Sequence, residues 1–102
     1  MANRIDAVVQ IIKTQREASR LCSEMARDTA ESPEGHDEFA EMGEEIDSGY
    51  ETALDEIEEG HWADALVTLE GVRSLEHDGG DDQHASRSIE ALKSMLSEST
   101  AT

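Results

Sequence analysis

Three clusters in this 102-residue chain hold side chains able to do chemistry. The first is Glu58-x-x-His61. On a helix, a carboxylate and an imidazole three residues apart share one face and can reach one metal ion. Glu24 or Glu31 would supply the further carboxylates such a centre needs. Against it, Gly60 stands inside the motif and is expected to end the helix, and the chain has no second copy of the motif. The second cluster is His77-Asp78-Gly79-Gly80-Asp81-Asp82-Gln83-His84, with five ligands of the nitrogen and carboxylate type that suits zinc or nickel. It lacks the alternating acids and terminal Glu of a calcium loop. The simpler expectation is a helix–helix connection turned by the glycines, with an acid capping the next helix. The third is Cys22, the single cysteine. It falls on an apolar helical stripe and reads as a small core residue. As a nucleophile it would need a base brought beside it from elsewhere in the fold. No phosphate-cradling glycine loop, nucleophile elbow or triad spacing occurs. The expectation is a non-enzymatic protein without a cofactor.

Four helices are predicted to position these groups. In the first, over about residues 4–30, Ile5, Val8, Val9 and Ile12, then Ala18, Leu21, Cys22 and Met25, recur at spacings of three and four. Thr14-Gln15-Arg16-Glu17 interrupts the stripe, so an exposed middle turn is expected. Ser32-Pro33-Glu34 signals the next start, with Ser at the cap and Pro at the first helical position. The second helix, about 33–59, carries Phe39, Met42, Ile46, Tyr50, Ala53 and Ile57 on one stripe, with the Tyr50 hydroxyl expected at the edge of the polar surface. The third, about 62–77, carries Trp62, Ala65, Leu66, Leu69, Val72 and Leu75; the fourth carries Ala85, Ile89, Leu92 and Leu96. Gly43, Gly49 and Gly71 inside helices each cost about 1 kcal/mol relative to Ala, which points to close helix–helix approach or a kink. The fold class is all-α: a compact three- to four-helix bundle with short turns, one domain over 1–98 and a frayed tail at 99–102.

Glu59-Gly60-His61-Trp62-Ala63-Asp64-Ala65-Leu66 resembles the turn and second-helix opening of a tetratricopeptide repeat, in Gly60, Trp62 and Ala65. The likeness covers one hairpin. Ala53 and Glu56 stand where the repeat usually has Gly and Tyr, and no second copy follows. A tight αα-hairpin is the reading taken.

Charge is the feature that most narrows function. Residues 31–64 hold fourteen acids and no Lys or Arg, within a chain of formal net charge −17. Residues 1–30 are balanced, with four acids and five bases. Six acid pairs lie at i,i+4 in the second helix, from Glu34/Glu38 to Asp55/Glu59. At about 0.2–0.5 kcal/mol each they cost on the order of 1–3 kcal/mol, against a total stability of roughly 5–15 kcal/mol. The eleven acids from Asp37 to Glu59 span about 35 Å of helix. That is one charge per about 3 Å, near the roughly 3.4 Å phosphate spacing of one DNA strand. In size and charge layout the chain is similar to DNA-mimic inhibitors, a class that includes phage anti-restriction and anti-CRISPR proteins. This reading assigns partner contact to Asp37, Glu38, Glu41, Glu44, Glu45, Asp47, Glu51 and Asp55, facing a basic protein surface. Direct binding of nucleic acid or an anionic membrane is opposed by the field of the whole chain. Acidification for a high-salt cytoplasm is the alternative, with the metal-binding bundle third. The long stripes of the first two helices also allow a homodimer. No apolar run is long enough to span a membrane, and the opening Met-Ala-Asn-Arg-Ile-Asp lacks a signal-peptide core. With one cysteine, a cytoplasmic location is expected.

Overall fold

Local signals start and stop the helices. The computed structural model describes residues 3–80 and 82–100. Its helices are α1 (Asn3–Asp28), α2 (Pro33–Glu58), α3 (Trp62–Asp78) and α4 (Gln83–Thr100). Ser32 caps α2 by accepting a hydrogen bond from the Gly35 N–H at 3.1 Å, with Pro33 in the first turn. At the other end Gly60 takes a φ of 85°, which glycine alone adopts without strain. The Gly60 N–H then reaches Ile57 O, and the His61 N–H reaches Glu56 O. This is the paired closure of a Schellman cap. The Trp62 Nε1–H donates to Ile57 O at 3.2 Å and pins the α2–α3 hairpin. α4 continues to Thr100; residues 101 and 102 of the expected tail lie outside the described residues.

Each helix packs on its sequence neighbours and α4 closes on α1, which makes an up-down-up-down bundle 54 Å long and 20 × 19 Å across. Among the described residues there is no strand. The core is aliphatic around one tyrosine: Val8, Ile12, Ile46, Tyr50, Ile57, Leu69, Val72, Ile89 and Leu92 are all buried. Among the described residues no helix is long and apolar enough to cross a membrane.

The second half of α1 departs from its expected register. Leu21 and Met25 are exposed (49% and 68%), and so is Cys22, while Ser19 is buried. The inward stripe begins Ile5, Val8, Ile12 and runs on at the same spacing through Gln15 and Ser19, with Cys22 at its exposed margin. Polar side chains thus replace apolar ones on the same face. The apparent interruption at residues 14–17 is a change of chemistry, with no change of phase, and Leu21 sits on the opposite side of the helix.

Of these, Ser19 meets Glu76, which is only 3% exposed. One of its oxygens, Oε2, accepts from Ser19 Oγ at 2.8 Å and from Tyr50 Oη at 2.6 Å. The other, Oε1, accepts from the Ala85 N–H at 2.9 Å. One carboxylate therefore ties α1, α2 and the first turn of α4 to α3. Tyr50 is fully buried, so its hydroxyl is not at the edge of the acidic surface. Burial and the Glu76 contact push its pKa far above the ordinary 10.0.

Gly49 is a close-approach site: a Cβ there would collide with Cγ2 of buried Val72 on α3. At Gly43 the added Cβ would press on Ser23 of α1 at 3.1 Å, whereas Gly71 faces open space. Gly49→Ala should therefore lower stability by about 1–3 kcal/mol through overpacking. Gly71→Ala should raise it by up to about 1 kcal/mol through helix propensity alone. Urea unfolding of the two variants checks the contrast. By the same measurement Glu76→Ala, which strands three donors in the core, should cost about 3–5 kcal/mol, well beyond the cost of Glu76→Gln.

Candidate functional site

The acidic residues of α2 occupy the half of the helix opposite Ile46, Tyr50, Ala53 and Ile57, as their phase at 3.6 residues per turn requires. Of the eight assigned to partner contact, Asp37, Glu38, Glu41, Glu44, Glu45, Glu51 and Asp55 are exposed, and Asp47 is half-buried. The side chains of Glu38, Glu41, Glu44, Glu45 and Asp55 make no hydrogen bond or ion pair among the described residues. Asp37 stands 3.7 Å from the His36 ring.

Asp47 is held differently. Arg16 of α1 grips it with a two-pronged bond, Nε to Oδ1 at 2.7 Å and Nη2 to Oδ2 at 2.9 Å, and reaches Glu51 at 3.7 Å. The acidic segment has no base of its own, but α1 lends one across the seam, and it bridges the Asp47/Glu51 pair. Asp47 thus braces α1 against α2, and the freely presented charge lies on Glu38, Glu41, Glu44, Glu45 and Asp55. The Arg16 bond holds the Asp47 carboxyl below its ordinary 3.8, and Asp47 raises Arg16 in turn. On the flank toward α3, Glu56 accepts from Thr68 Oγ1. Elsewhere on α1, Arg20 pairs with Glu17 and Glu24.

The metal candidates do not come together. Gly60 turns the chain between Glu58 and His61, both exposed, and His61 lies 3.5 Å from Glu59. His77 is exposed and 3.4 Å from Asp82, whereas His84 points into the bundle and is 6% exposed. Asp81 lies outside the described residues. Among the described residues no three His, Cys, Asp or Glu side chains are grouped to hold a metal ion.

Cys22 and His84 form a second constellation that sequence spacing did not anticipate. Cys22 Sγ stands 3.6 Å from His84 Nε2, and His84 Nδ1 stands 3.1 Å from Gln15 Oε1. Cys22 is thus no core residue but an exposed thiol beside a buried imidazole. A cavity of about 60 Å³ adjoins the pair, walled by Ser19, Phe39, Met42 and Glu76 among others. The available signal was the 4,3 spacing of Gln15, Ser19 and Cys22 in continuation of Ile5-Val8-Ile12. Its counterpart, His84, comes from the other end of the chain.

The fold and site define an antiparallel four-helix bundle with one acid-dense helix face. Comparison with known proteins finds no matching family model, no matching curated protein and no matching solved structure.

Asp47 gives this site a checkable pH dependence. Because its folded pKa is depressed, its pairing with Arg16 stabilises the fold fully above the ordinary 3.8 and fades as pH falls through the lower folded value. Arg16→Met should cost about 1 kcal/mol at neutral pH for this partly exposed pair. The gap between wild type and variant in thermal unfolding should close as the buffer is taken below pH 3.8.

Proposed function

We propose that the acidic face of α2 binds a basic protein surface and takes the place of nucleic acid there, as an inhibitor of a DNA- or RNA-binding protein of the anti-restriction or anti-CRISPR type. The observation that carries this reading is the set of unpaired carboxylates at Glu38, Glu41, Glu44, Glu45 and Asp55, on a helix capped at both ends and braced from behind. A surface that only needed solubility would gain nothing from concentrating charge where repulsion costs on the order of 1–3 kcal/mol. A rigid row of carboxylates at near-phosphate spacing fits a Lys/Arg track without losing chain entropy on docking. Asp37 extends the row at its N-terminal end, Glu51 stands within it between Glu45 and Asp55, and Asp47 maintains it through Arg16.

Binding of this kind is electrostatic, fast and steeply salt-dependent. Immobilised wild-type protein should retain nucleic-acid-binding proteins from a host lysate, and duplex DNA or RNA should displace them. With six or more charges engaged, affinity should fall by about three orders of magnitude between about 50 and about 200 mM salt. The Glu38/Glu41/Glu44/Glu45→Lys variant should retain none of them; unchanged capture by that variant ends the proposal. Acidity as salt adaptation makes the opposite demand, with folding improving as salt rises toward about 2 M. Thermal unfolding at low and high salt separates the two readings.

A further inference from the structure

α1 and α4 bring three side chains into a relay that the acidic face does not use. The carboxamide oxygen of Gln15 can only accept, so its 3.1 Å contact with His84 Nδ1 puts the ring proton on Nδ1. Nε2 is then the accepting ring nitrogen, and Cys22 Sγ lies 3.6 Å from it. A nucleophile, a base within reach of it and a third group that orients the base form the arrangement that activates a thiol. The imidazole is 6% exposed, whereas Cys22 is open to solvent. A reagent can therefore reach the sulfur while the base stays fixed behind it.

The surroundings select the reagent. The adjoining open-sided pocket of about 60 Å³ has room for a molecule of a few heavy atoms, since a single water needs about 10–15 Å³. Its walls mix the polar Ser19, Glu76 and His84 with the apolar Phe39 and Met42. The formal charge of −17 disfavours anionic electrophiles. A small neutral hydroperoxide meets all three conditions.

We propose that Cys22 is a site of oxidation by hydroperoxides, with His84 as its base and Gln15 as the residue that positions the imidazole. His84 Nε2 takes the thiol proton as Sγ attacks the distal peroxide oxygen. The S–O bond forms, the O–O bond breaks, and its electron pair leaves on the departing oxygen. That oxygen takes the proton back from the imidazolium and departs as water or an alcohol. The sulfur is oxidised to a sulfenic acid, the peroxide is reduced, and no net proton is consumed. The chain has one cysteine, so no internal thiol condenses with the product, and the sulfenic acid is left to a thiol from another molecule or to further oxidation by peroxide.

The test follows sulfenic acid formation with hydrogen peroxide at neutral pH, trapped by dimedone and read by intact mass, which separates it from methionine oxidation. Native protein should react about 10²-fold faster than the urea-unfolded chain and than folded His84→Gln. Gln15→Leu should lose most of that advantage and Gln15→Glu, which keeps an oxygen acceptor, should restore it. Where His84→Gln does not fold, the Gln15 pair decides. Native protein reacting within about twofold of the unfolded chain overturns the proposal. So does His84→Gln at the wild-type rate, or equal rates for the two Gln15 variants.

Discussion

A single buried carboxylate sets the geometry of this bundle. Glu76 accepts from Ser19 of α1, Tyr50 of α2 and the Ala85 N–H of α4, so each helix has one position at which it must meet α3. An aliphatic core alone tolerates slippage, because Leu, Ile and Val exchange neighbours at small cost. A charged acceptor with three donors does not, since sliding any helix by one residue would leave a polar group buried and unmatched. Such a group is weak evidence for net stability, because desolvating it offsets much of what its bonds contribute. Its effect is on which packing forms.

The orientation of the acidic helix follows from that register. With Tyr50 turned inward to Glu76, the phase of α2 is fixed, and its acids fall on the outer half. Two contacts then hold the helix close to its neighbours: Gly49 against Val72 on one side, and Gly43 with Ser23 on the other. Arg16 adds one cation where the seam brings Asp47 and Glu51 nearest to α1. The repulsion along α2 is thus carried by a helix with little freedom to bend away from it. The result is an acidic surface of fixed spacing.

The same register places the thiol–imidazole pair. Ser19 and Cys22 lie one turn apart on α1, and Ala85 follows His84 on α4. The bonds that seat Ser19 and Ala85 on Glu76 therefore also bring Cys22 against His84. One polar network fixes both an electrostatic surface and a candidate reactive thiol, although the two share no residue.

The local elements of this protein are written in its sequence. Four helices, the Ser32 cap, Pro33 in the first turn and the Gly60 closure each depend on residues within about one turn of one another, so spacing alone reveals them. The outward charge of α2 was legible for the same reason, since Ile46, Tyr50, Ala53 and Ile57 mark its inner side. The polar interior was not. Gln15, Ser19 and Glu76 continue apolar stripes in phase, yet their side chains suit solvent as well as a buried site. Cys22 read as core and Tyr50 as edge because their partners, His84 and Glu76, stand 62 and 26 residues away. Whether such a residue turns inward is decided by whether the fold supplies its missing donor or acceptor, and only tertiary packing does that.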